Sequence, residues 1–461
     1  MPKVTESPHL LYMKKAFLLI HLFFVFICGA KTPNIVLILS DDQSYTDYGF
    51  MGHPHIETPH LDKLASESAL FRRGYVPTAL CRPALATLAT GLYSHQNKIT
   101  GNNPAETPEN LAHAKRTGED PKELIISNID KHGCLPHWLG KKGYGSHQSG
   151  KWWEGHYSRG GFTHGMTHGD PKRGGRHGDV GLQIGRQGLD PVHDFIKEAK
   201  NQQKPFFVWY APFLPHTPHN PPERFLTKYT AEGRPLQLAK YYAMCEWFDE
   251  TCGQLLDIID DEGLRKNTVV IYVTDNGWIQ RTPEMDLGPA WRSSYAPKSK
   301  QSANEGGIRT PIMVRWPGQV RPGNRSQLVS SIDIAPTILE LAGLKKKDNM
   351  FGKNLVDVAQ GRTAAHQALF GESYAHDIAD LDDLTRTLLY RYVIKGDWKL
   401  LMSYDGVVNR YKWSHPELDS GPQLYNLRVD PAETDNRAGS NPEIVKELTE
   451  LLYKHWDHRG K

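Results

Sequence analysis

Three stretches of this sequence are apolar from end to end over the length of one strand: Asn34–Ser40 (NIVLILS), Phe206–Tyr210 (FFVWY) and Thr268–Thr274 (TVVIYVT). A strand with one face in water alternates apolar and polar residues, so continuous runs call for a sheet covered on both faces. Pro311–Trp316 (PIMVRW) is similar, and helical patterns lie between these runs. Thr58-Pro59 offers a cap and a first-turn proline. From Leu238 to Ile259 apolar residues return every three or four positions, and Asp333 to Leu341 ends at Gly343. Strands alternating with helices predict an α/β core with a large, mainly parallel sheet flanked by helices. From residue 363 onward the pattern shifts to short strands (Leu388–Ile394, Trp398–Met402, Leu424–Leu427) and a closing helix from Pro442. That predicts an α/β domain over 31–362 and a smaller C-terminal α+β region with an antiparallel sheet over 363–461.

Residues 1–30 read as a leader. Met13-Lys14-Lys15 precedes the apolar run Ala16 to Ile27, and Cys28-Gly29-Ala30 follows with small residues. The apolar run is too short to span a bilayer, which takes about 20 residues, and its layout is that of a secretory signal cut near Ala30. The mature chain is expected to be exported, periplasmic or secreted. With 55 Lys+Arg against 52 Asp+Glu, the full sequence lacks the cationic excess of a nucleic-acid binder. Cys81, Cys134, Cys245 and Cys252 remain after cleavage. Cys245 and Cys252 sit about 10.5 Å apart along one predicted helix, too far for a disulfide. Nothing in the sequence sets an oligomeric state.

Chemistry concentrates where the apolar runs stop. Asn34–Ser40 ends at Asp41-Asp42, and Thr268–Thr274 ends at Asp275-Asn276. In sheets of this kind the ligand sits beyond the carboxyl ends of the strands. Three carboxylates and an amide collected there repel one another unless a hard divalent cation joins them, and Ca²⁺ or Mg²⁺ takes such oxygen ligands. Caps and turns are the alternative role for the same residues. Cys81-Arg82-Pro83 places Cys81 at the amino end of a helix, where the dipole favours an anion. A buried structural cysteine is the alternative there.

Taken jointly, these elements resemble the formylglycine-dependent sulfatases of the alkaline phosphatase superfamily. The resemblance runs from Asn34–Asp42 through Thr58-Pro59-His60-Leu61-Asp62 to Cys81-x-Pro83 with Thr90-Gly91. It continues with Gly150-Lys151-Trp152, Pro215-His216-Thr217-Pro218, Thr274–Gly277 and Glu305–Pro311, and ends with Asp397–Leu400 and Leu424–Leu427 before Asp430-Pro431. The motifs come in family order over almost the whole mature chain, and they imply an alkaline-phosphatase-like core. The resemblance implies that a maturation enzyme oxidises Cys81 to formylglycine, whose hydrate attacks sulfur with the help of a bound cation, usually calcium. It implies Asp41, Asp42, Asp275 and Asn276, with the modified Cys81, as metal ligands. Lys151 and Lys300 match lysines that clamp the sulfate, and His216 matches the acid that protonates the leaving oxygen.

Two positions depart from the family pattern. Ala84-Leu85 stand where Ser-Arg is usual, and Arg82 is the nearest guanidinium in the motif. Trp153 follows Gly150-Lys151-Trp152 where the family has His, with His147 and His156 as candidate substitutes. The stretch Gly155 to Gly188, dense in Gly, His and Arg, suits a loop that grips an anionic substrate. The expected function is hydrolysis of sulfate monoesters on a sulfated glycan. Hydrolysis of phosphate or phosphonate esters on the same fold is one rival. A catalytically silent glycan-binding relative is the other.

Overall fold

The computed structural model describes residues 32–169, 177–231, 233–408, 410–415, 418 and 421–459. The predicted leader lies outside them. Among the described residues no helix is long and apolar enough to cross a membrane.

The strands, in chain order, begin with β1 (Asn34–Ser40), β2 (Ala69–Tyr75), β3 (Asn103–Pro104), β4 (Gly145–Gly150) and β5 (His164–Gly165). β6 (Phe206–Ala211), β7 (Thr268–Thr274), β8 (Arg309–Arg315), β9 (Gly323–Arg325) and β10 (Val329–Ser330) follow. The last five are β11 (Ala368–Tyr374), β12 (Asp377–Ile378), β13 (Leu388–Lys395), β14 (Trp398–Ser403) and β15 (Gln423–Asn426). Nine of them form one sheet in the order β10-β2-β8-β7-β1-β6-β4-β5, with β9 beside β2. β8 runs antiparallel to both its neighbours, and the other pairs are parallel. β11-β13-β14-β15 make a separate antiparallel sheet, and β12 pairs with β3 in a short ribbon.

The two faces of the large sheet explain the uninterrupted apolar runs. Ile35, Leu37 and Leu39 of β1 enter one hydrophobic core, with Val269, Ile271 and Val273 of β7. Val36 and Ile38 enter a second core on the other face, with Val270 and Tyr272. Successive side chains point to opposite faces, so a strand buried on both needs an apolar residue at every position. The 26-residue helix Leu236–Asp261 covers the second face. Its Cys252 joins that core while Cys245 joins a separate cluster with Trp278 and Tyr295, and neither forms a disulfide.

Thr58 does not cap the helix Pro59–Ser66 as expected. Its hydroxyl donates to Asp62 Oδ1 instead (2.8 Å), and the first backbone N–H groups are taken by Asp249 from the long helix. The polar stretch after Asn102 folds into two helices, Pro108–Thr117 and Pro121–His132, capped by the side chains of Thr107 and Asp120. The closing helix, Pro442–His455, packs Leu448 and Leu452 against Val393, Leu400 and Leu424 of the small sheet.

Candidate active site

β1 and β7 are adjacent, parallel and in register to their last residues, Ser40 opposite Thr274. The residues after them therefore leave the sheet side by side. Asp42 N–H donates to Asp275 Oδ1 (3.1 Å), and Asn276 Nδ2 donates to Asp42 Oδ1 (2.6 Å). All four side chains are buried. Lys151 follows the last residue of β4, Gly150, which has φ 85°; a Cβ there would meet the Ala211 carbonyl oxygen at 1.8 Å. That turn brings Lys151 Nζ to 2.6 Å from Asp41 Oδ1 and 3.8 Å from Asp275 Oδ2. Lys300 Nζ reaches Asp42 Oδ2 at 2.5 Å and lies 3.5 Å from His216 Nε2.

Cys81 opens the helix Cys81–Thr90 and is 2% exposed. Its sulfur and one ligand atom each of Asp41, Asp42 and His216 lie within 4.8 Å of one another. His216 stacks on Phe213 and keeps Nδ1 on the Thr217 carbonyl (2.5 Å), which leaves Nε2 facing Asp42. The structure thus collects every site residue read from the sequence at one sheet edge.

Three buried carboxylates face two ammonium groups here. Burial pushes the carboxyl groups of Asp41 and Asp275 up, and the Cys81 thiol up to about 11. Asp42 is held well below the usual range because Lys300, then His216 and Lys151, outweigh its burial. Burial lowers His216, although Asp42 opposes this. Asp41 Oδ2, Asp275 Oδ2 and Asn276 Oδ1 are buried and accept no hydrogen bond. Three such oxygens on one edge are a donor set for a hard divalent cation, so the residues fit the metal that the resemblance implies.

The site opens into a cavity of about 220 Å³ lined by Cys81, Lys151, His216 and Lys300 together with Trp153, His177, Trp278, Tyr295, His376 and Tyr411. Neither His147 nor His156 lines it. His147 is buried against Phe195, and His156 turns to Ser158. His177 is there instead, its ring edge-on to Trp153 at 4.8 Å. It belongs to the Gly/His/Arg stretch noted in the sequence, of which 170–176 lie outside the described residues. Arg82 does not replace the motif arginine either: its Nε and Nη2 donate to Glu154 (2.8 and 2.6 Å) in a buried pair, and its Nη1 donates to the Asn102 carbonyl (3.3 Å). Leu85 packs in the core. His376 and Tyr411 come from the C-terminal region and carried no local signal.

A mainly parallel sheet whose carboxyl edge gathers buried carboxylates beside a cysteine at a helix start is the arrangement that the family resemblance implies. The sulfatase family model matches residues 33–344, and a model described as N-sulphoglucosamine sulphohydrolase, C-terminal, matches 298–458. The chain belongs to the sulfatase family and is a sulfuric ester hydrolase. It is 31% identical to human (Homo sapiens) N-acetylgalactosamine-6-sulfatase, over 92% of this chain and 86% of that one. It is 27% identical to human arylsulfatase A, over 92% and 87%. A structure described as in complex with its substrate D-glucosamine-2-N,6-O-disulfate superimposes with a TM-score of 0.68 at 19% identity, covering 93% of this chain and 98% of that one.

Proposed function

We propose that this protein is an exported sulfatase that removes sulfate monoesters from sulfated glycans, with Ca²⁺ as its cation and formylglycine, made from Cys81 by a maturation enzyme, as its nucleophile. One observation carries the reading: the Cys81 side chain meets Asp41, Asp42 and His216 within 4.8 Å, with a lysine on each of the two carboxylates. The glycan substrate is supported by aromatic and polar groups around the cavity and by relatives named for sulfated sugars. Export rests on the leader read from residues 13–30.

Asp41, Asp42, Asp275 and Asn276 would hold the cation. Bound there, it lowers the pKa of a hydroxyl on the modified Cys81 and offsets charge on the sulfate. The remaining work falls to side chains already in place. Each lysine ammonium has three donors and spends one on a carboxylate, so Lys151 and Lys300 retain N–H groups for sulfate oxygens. Their positive charge offsets the negative charge that builds there in the transition state. His216 donates Nδ1–H to the Thr217 carbonyl, so it delivers a proton from Nε2 to the departing sugar oxygen only as the doubly protonated ring, the form that burial opposes and the neighbouring Asp42 favours.

The test is the mass of residue 81 in protein from its native host. Because the Arg82–Pro83 bond resists trypsin, the peptide to weigh is Gly74–Lys98. A formylglycine mass is the expected result and would mean that maturation tolerates Leu85. An unmodified thiol throughout the population, in protein that still releases sulfate, would overturn the assignment of the nucleophile.

A further inference from the structure

Three pairs of neighbouring residues each divide between the Cys81 cavity and a second one. Asn102, His376 and Tyr411 line the first; Asn103, Asp377 and Arg410 line the second. The second cavity measures about 470 Å³ and is bounded also by Glu106, Thr107 and Lys122. Its shared wall is the ribbon in which Asn103 of β3 faces Asp377 of β12.

A run of polar contacts crosses that wall. Arg82 N–H donates to Asn102 Oδ1 (3.1 Å), whose Nδ2 meets His376 Nε2 (3.3 Å). His376 Nδ1 meets Asp377 Oδ1 (2.8 Å), and Arg410 reaches Asp377 Oδ2 at 3.3 Å. Arg410 also donates to the hydroxyl of Tyr411 (3.1 Å), which is held at φ 59°. Asp377 is therefore spent: His376 and Asn103 take one oxygen and Arg410 the other. With Asp377 spent, the cavity offers an incoming group two cations, the remaining N–H donors of half-exposed Arg410 and the ammonium of Lys122, against the one exposed carboxylate of Glu106.

We propose that the second cavity is the subsite for the sugar next to the one bearing the scissile sulfate, and that Arg410 and Lys122 hold an anionic substituent, sulfate or carboxylate, on it. The first cavity has room for about one sulfated ring, so a longer chain must leave it, and the second begins one residue away. This assignment rests on the glycan-sulfatase reading and adds that the substrate is an oligosaccharide charged on successive sugars.

The experiment compares the wild type, Arg410→Ala and Lys122→Ala on chondroitin 6-sulfate and ι-carrageenan tetrasaccharides, both charged on successive sugars, and on the matching monosaccharide sulfates. Both kcat/KM and the calorimetric Kd are read. The wild type is expected to prefer at least one tetrasaccharide over its monosaccharide. A charge-assisted hydrogen bond is worth about 1.5–3 kcal/mol, so each variant should cut that preference by about 10- to 150-fold, mainly in KM. Lys122 lies on an exposed helix surface, which keeps the test valid if Arg410→Ala folds poorly. Equal wild-type affinity for long and short ligands across the panel, or equal losses on both in the two variants, would overturn the subsite. Failure of the underlying reading looks different: no sulfate is released from any probe, while Kd still reports chain length.

Discussion

Asp42 adopts φ 63°, a conformation that residues with a Cβ seldom take, and so do Gln301 and Tyr411 elsewhere around the cavity. Strain of this kind persists where surrounding contacts fix it. At Asp42 those contacts are the backbone bond to Asp275 and side-chain contacts to Asn276, Lys300 and His216. The proton-delivery role of His216 has a measurable signature. His216→Ala should lower turnover by about 10²- to 10⁴-fold on sugar sulfates, whose leaving groups are poor, and far less on activated aryl sulfates. Equal losses on the two classes would count against that role. The residues at this scale were readable because the chemistry is local: a carboxylate pair after a strand, a cysteine before a helix-starting proline. His177 and His376 were not. Their place in the cavity depends on long connections, and the family pattern pointed to histidines near Trp153 that the fold turns elsewhere.

At the scale of single elements, strand positions followed from the uninterrupted apolar runs, while directions and caps did not. β8 reads like the parallel strands, but it runs the other way because direction is set by the chain path outside the strand. The helix Pro59–Ser66 takes its cap from Asp249, 189 residues on from His60. Burial raises the Asp249 carboxyl to about 7, against the two backbone hydrogen bonds that lower it. A carboxyl raised in the folded state binds its proton more tightly there than in the unfolded chain. Its stabilising contribution is therefore complete below about pH 4 and is lost as pH rises through about 7. Asp249→Asn removes that titration. The melting temperature of the wild type minus that of Asp249→Asn should be greatest near pH 4 and fall to a plateau above pH 8. A difference that stays flat over this range would contradict the assignment.

At the scale of the whole molecule, the two sheets are joined through a buried ionic cluster. Lys399 of β14 lies 2.8 Å from Glu433 Oε1 and 3.5 Å from Glu305 Oε1, and Glu433 Oε2 accepts the Glu305 backbone N–H (2.6 Å). Lys298, two residues before the cavity-lining Lys300, donates to the Glu433 carbonyl (2.5 Å). Lys399→Met would leave Glu433 buried without its cation and Glu305 with Arg309 alone (3.4 Å). The expected cost is about 3–5 kcal/mol in urea denaturation. A loss below about 1 kcal/mol would mean that the cluster does not hold the C-terminal region to the core.

Cys81 is 2% exposed, and the cavity wall beside it is completed by Tyr411. During synthesis the cysteine is therefore made roughly 330 residues before Tyr411, which lines the same cavity. At about 5–20 residues per second, that interval lasts on the order of 20 seconds to a minute. Under the maturation proposed above, the enzyme that modifies Cys81 has its opening in this interval, before Tyr411 arrives. Sequence changes that hasten closure of the first 300 residues would then lower the modified fraction without altering the finished site.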